Sequence, residues 1–274
     1  MRRVLNFKAK KGYAYIGDET PNIEVGLSMY KLYNNYTGNC IKVRRSLDNA
    51  TQDVGFIDNE LDTVSLLNFV GVSDGYIHTW YDQSGNNNNF TQTSTLYQPK
   101  ISSLGSIYER GGKYTSIFIN SKISSTHVMN GSFTISAVAN RRLDKVGNTI
   151  LSTVRWGSIP DNNYGFSLDF GNLVMRSKGG SEQAATNFPL ENKLKILSSR
   201  NNAGFCEVFN NEIVGQNTAN GFETDFSNNT SSLGGVGSDR LFDGEISQLI
   251  VCNSSLSDIQ LQKLITNSKS NFNI

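Results

Sequence analysis

Six acidic residues fall on the short apolar runs and the turns between them: Asp169, Glu182, Glu207, Asp225, Asp243 and Glu245. Hydrolysis of a glycosidic bond takes two carboxyl groups, about 5 Å apart for retention of configuration and wider for inversion. No spacing among the six pairs any two of them. The sequence therefore nominates no catalytic residue, the six are expected on solvent faces, and Glu245 is accounted for by the strand it sits in. The string DQSGNNNN brings Asp82, Ser84 and Asn86 together, oxygen donors of the kind calcium takes. It lacks the sixth-place glycine and closing glutamate of a calcium loop. A turn in which Asp and Asn side chains bond their own backbone is the favoured reading, with Gly85 supplying a positive φ. No cofactor is expected, and Asp82 with Asn86 stands as the weak calcium alternative. Only His78 and His127 are present, which excludes a histidine-rich metal centre.

Two aromatic positions differ in setting. Trp80 alternates with His78 and Tyr76 along one apolar run and reads as core. Trp156 lies in the polar, turn-rich segment RWGSIPDNNYG. With Asn162, Asn163 and Tyr164 it would offer a ring and amides to a sugar, the competing account being a tryptophan folded over the sheet edge. At the N-terminus Arg2, Arg3, Lys8, Lys10 and Lys11 surround Phe7, with few periodic apolar residues. Residues 1–25 are expected to be an attachment arm that orders on a partner, a frayed terminus being the alternative. No apolar stretch follows these charges, so a secretory signal is not expected.

The elements that must hold these residues are strands. Glycine is frequent and proline scarce, 25 against 4, among 274 residues. After Gly111 short β-branched and aromatic runs recur, among them SFTISAVAN, YGFSLDF, NLVMRS, LKILSSR, FCEVFN and ISQLIVCN, separated by GN, GG and NN turns. Antiparallel sheets follow, with a hairpin tip at Asn210-Asn211. Helices are expected only at 26–34, 61–70 capped by Gly71, and 257–267. The last carries a Ser257/Gln260 capping box and an apolar stripe of Leu261, Leu264 and Ile265. Cys40, Cys206 and Cys252 lie far apart and read as buried free thiols. A net charge of +1 argues against nucleic acid as a partner, and no apolar run is long enough to insert in a membrane.

Two blocks carry a resemblance. YNNYTGNCIKVRRSLDNATQDVGF, LDTVSLLNFVG and HTWYDQSGNNNNFTQ resemble the catalytic domain of arabinofuranosidase B, family 54 of the glycoside hydrolases, a block also met in phage virion proteins. GFCEVFNNEIVG with LFDGEISQLIVCNSSLSDIQLQKL is similar to the C-terminal half of laminin G-like, concanavalin A-like jelly rolls. The resemblance implies an all-β, antiparallel jelly-roll sandwich over residues 26–274. The hydrolases carry an adjacent cysteine pair that this chain lacks, and their carboxylate motifs find no match, so no catalytic residue is carried over.

These readings lead to an expectation of a non-enzymatic structural protein of a bacteriophage particle, part of capsid, fibre, tail or baseplate. It would assemble in the bacterial cytoplasm as an oligomer, with the arm bound to other virion proteins and the sandwich meeting host-surface glycans. The alternatives are a glycoside hydrolase of the arabinofuranosidase type and a secreted carbohydrate-binding lectin.

Overall fold

The computed structural model describes residues 13–107, 109–110, 114–115, 117–119, 123–125, 132–141, 148–152, 165–169, 172–176, 182–187, 194–202, 205–211, 213–214, 216–217, 231–236 and 240–274. Its axis is the last strand, Gly244–Cys252, buried at every position. One edge of that strand pairs along its length with Phe133–Arg141. The other edge is shared: Ile23–Ser28 covers Gln248 to Cys252, and Ile117–Ile119 covers Gly244 to Ile246. Beyond Phe133–Arg141 the layer continues through Lys195–Asn202 to Phe205–Asn210. The expected hairpin tip follows, with Asn211 at φ 50° and Asn210 paired to Ile213.

A second layer starts with Thr51–Val54, Ile41–Arg45 and Gly75–Trp80. It runs on through Phe90–Thr91, Ile123–Ser125, Ser231–Leu233 and Asn148–Ser152 to Gly165–Asp169, Asn172–Arg176 and Glu182–Asn187. Val25, Leu27, Ile135, Ala137, Leu249 and Val251 from the first layer meet Val43, Ile77, Trp80, Ile150, Leu151 and Leu233 from the second in one core. The fold is therefore an all-β antiparallel sandwich, as the residue pattern requires.

Two faces of the last strand are apolar for different reasons. Ile246, Leu249 and Val251 point between the sheets, whereas Ile250 and Cys252 point outward beneath the closing helix, Asp258–Phe272. That helix lays Leu261, Leu264, Ile265 and Phe272 over Val138, Ile196 and Ile250. Ser257 caps it in the expected box: its Oγ accepts from Gln260 N, and its own N–H donates to the Gln260 side chain. The helix Thr63–Val70 also forms where expected, capped by Asp62 and ended by Gly71 at φ 59°. It buries Leu66 and Val70 and leaves Val64 exposed.

Three expectations need correction. No helix spans 26–34. The apolar residues Val25, Leu27 and Met29 alternate with period two and enter the core as part of a strand. For the same reason the boundary after residue 25 cuts through the strand Ile23–Ser28. Residues 13–25 belong to the sandwich, with Ile16, Ile23 and Val25 buried, while Arg2, Arg3, Phe7, Lys8, Lys10 and Lys11 lie outside the described residues. Trp80 is core, but not on the face of His78 and Tyr76. The register slips between Lys42 and Val43, where His78 has no partner opposite. This bulge shifts the alternation, so that Ile77 and Trp80 are both buried.

Candidate functional site

The Asp82 loop is a built polar structure. Asp82 Oδ1 accepts from Gly26 N at 2.8 Å and Ser84 N at 2.9 Å. Its Oδ2 accepts from the Ser84 hydroxyl at 2.7 Å and Asn88 N at 3.0 Å. Gln83 adds three bonds, accepting from Leu32 N and donating to the carbonyls of Ser28 and Tyr30. Asn86 and Asn88 both donate to the Glu24 carbonyl. Gly85 takes the positive φ, 91°. The whole string stitches the first strand to the end of Gly75–Trp80. A carboxylate has about four acceptor sites, and Asp82 uses all four on protein donors. Asp82 and Asn86 therefore organise a turn in which the Asp82 acceptor sites are taken by protein donors. Burial, followed by the charge of Asp82, pushes the Tyr33 phenol up to about 12. Among the described residues no three His, Cys, Asp or Glu side chains converge as metal ligands.

The second constellation lies where the last strand begins. Ile246 points into the inter-sheet core, so Glu245, the position before it on the strand, alternates onto the opposite face; Asp243 lies just before the strand begins. Both carboxylates are nonetheless buried, 7% and 5% exposed. Asn140, on the neighbouring strand, stands directly opposite Glu245 in the register. It is 1% exposed, and neither atom of its amide makes a hydrogen bond.

Among the described residues, Asp243 and Glu245 are the two of these acids that lie close in the chain at one strand end. Glu207 pairs with Arg200 at 2.5 Å, and Arg200 reaches on to Asp258 at 2.7 Å, which ties strand to closing helix. Asp169 and Glu182 lie on strands of the second layer. Asp225, and the sugar-binding set Trp156, Asn162, Asn163 and Tyr164, lie outside the described residues. Asn140 had no signal of its own, because an asparagine closing an apolar run reads as a turn residue until its neighbouring strand is known. The three cysteines are buried free thiols, and burial pushes Cys206 and Cys252 up to about 12, far from nucleophilic use at neutral pH.

Residues 13–131, under half of the chain, match the family model of the alpha-L-arabinofuranosidase B catalytic domain. No curated protein matches the sequence. Among solved structures, a family 54 α-L-arabinofuranosidase soaked with a cyclic sulfate inhibitor is similar at TM-score 0.66 and 16% identity. It covers 92% of this chain and 63% of that one. An arabinofuranosidase complexed with arabinofuranosyl-alpha-1,2-xylobiose gives 0.64 and 15%, over 92% and 62%. A Trypanosoma rangeli sialidase gives 0.50 and 12%, over 70% and 31%. The chain thus spans under two thirds of the arabinofuranosidases it resembles. The expectation of a non-enzymatic virion protein is overturned. The family match is to an arabinofuranosidase catalytic domain, and the structural likeness shows the sandwich fold, with nothing in either that carries a virion context.

Proposed function

We propose that this chain is a glycoside hydrolase domain of the arabinofuranosidase type, acting on terminal α-L-arabinofuranosyl groups. The observation that carries the reading is the family match over residues 13–131, which spans the Asp82 stitch and the strands around it. The fold similarity over 92% of the chain is consistent with it. In this reading Asp243 and Glu245 supply the two carboxyl groups that glycosidic cleavage takes, one protonating the leaving oxygen and the other attacking or activating water.

The test is release of 4-nitrophenol from 4-nitrophenyl α-L-arabinofuranoside and of arabinose from arabinan. Turnover is expected, with Glu245→Gln and Asp243→Asn each lowering it by roughly 10²-fold or more, the usual worth of an acid–base group. A wild-type protein inert on both substrates overturns the reading. Turnover that survives both substitutions moves the catalytic pair elsewhere.

A further inference from the structure

We infer that Asn140, with Glu245 and Asp243 beside it, is a binding site for a vicinal diol of a sugar ring. The inference rests on the proposed function only in taking the ligand to be a sugar. Asn140 is the penultimate residue of Phe133–Arg141, and Gly244, opposite Arg141, is the first residue of the last strand. Asn140 and Glu245 therefore share the outer face of the sheet near the end where both strands stop, and Asp243 lies just before the last strand begins. Val138 and Ile250, further along that face, are covered by the closing helix.

The amide of Asn140 is the decisive group. A buried amide without partners costs stability, and native proteins satisfy nearly all such groups. Asn140 keeps both a donor and an acceptor unsatisfied at 1% exposure. A cation would bind Oδ1 and leave Nδ2 without an acceptor. A pair of adjacent hydroxyls satisfies both, one donating to Oδ1 while the oxygen of the other accepts from Nδ2. The cross-strand neighbour Glu245, and Asp243 two residues before it, add carboxylate acceptors, which form charge-assisted bonds to hydroxyls. Asparagine here is a group kept at a cost in stability for what it binds.

The experiment is thermal unfolding of the full chain with and without L-arabinose, and with and without calcium, for wild type, Asn140→Leu and Asn140→Ala. Arabinose is expected to raise the wild-type Tm, and both variants are expected to lose that shift. Without sugar, Asn140→Leu is expected to melt at or above wild type, because leucine has similar volume and no polar group to bury. Where leucine does not fit, Asn140→Ala decides, since it adds no bulk. If the wild type turns over arabinofuranoside, KM is expected to rise about 10-fold in either variant, the worth of two lost hydrogen bonds. An arabinose shift that is lost in the variants, in a wild type without turnover, leaves this site standing and removes the hydrolase reading. Turnover together with an equal arabinose shift in wild type and variants does the reverse. The site is overturned if arabinose fails to shift the wild type, if calcium gives the wild type a shift that both Asn140 variants lose, or if both variants melt far below wild type.

Discussion

Asp82 shows how one side chain can decide the fate of a loop. Three backbone N–H groups, from Gly26, Ser84 and Asn88, end on its carboxylate. Asp82→Ala would leave these donors without acceptors, at about 1–3 kcal/mol for each one that stays buried. A loss of about 3 kcal/mol or more is expected in denaturant unfolding. Asp82→Asn, which retains one acceptor oxygen, should lose less. Because the acceptor sites are already filled, added calcium should leave the wild-type midpoint where it is, and a calcium-dependent rise would show a second arrangement of the loop. The loop's asparagines, legible in sequence only as turn formers, are used as donors to the strand carbonyl of Glu24. That use depends on a neighbour some sixty residues earlier in the chain, which no local pattern can specify.

At the scale of elements, Asp74 ties three connections together. It accepts from Lys100 Nζ at 2.7 Å, Ser103 Oγ at 3.1 Å and Leu104 N at 3.1 Å, and its backbone exchanges bonds with Ser46. The hydrogen bond from Lys100 holds its carboxyl below the ordinary value of 3.8, against a smaller opposing push from burial. A carboxyl depressed in the folded state stabilises the fold above its ordinary value, and that contribution disappears as pH falls through the folded value. The stability difference between wild type and Asp74→Asn should therefore be full at neutral pH and shrink below about pH 4. A difference that stays constant from pH 7 to pH 3 would show that the charge of Asp74 contributes nothing. The elements themselves were unevenly legible. The strands after Gly111 and the closing helix followed from alternation and capping chemistry, both of which act within a few residues. The segment from Val25 to Leu32 satisfies both a helical and a strand period, and it was resolved only by the unpaired edge of Gly244–Cys252.

For the whole molecule, residues 13–25 are part of the sandwich. Deleting residues 1–25 removes Ile16, Ile23 and Val25 from buried positions and takes half of one pairing strand from Gly244–Cys252. Three buried aliphatic side chains represent roughly 5 kcal/mol or more, comparable to the total stability of many domains. The truncated chain is expected to lose its cooperative unfolding transition by circular dichroism, and a sharp transition near the wild-type Tm would show that the segment is dispensable. By itself the sequence determined the fold class, the turn chemistry, the closing helix and the likeness to arabinofuranosidases. These rest on residue spacing, side-chain capping and backbone freedom, all of which operate over short stretches. Only the tertiary structure decided that Trp80 crosses to the core face through a bulge, and that Asn140 faces Glu245 across about a hundred residues of chain. Register between distant strands is set by the summed burial of whole faces. A single buried amide beside two carboxylates therefore becomes visible only when the sheet is assembled.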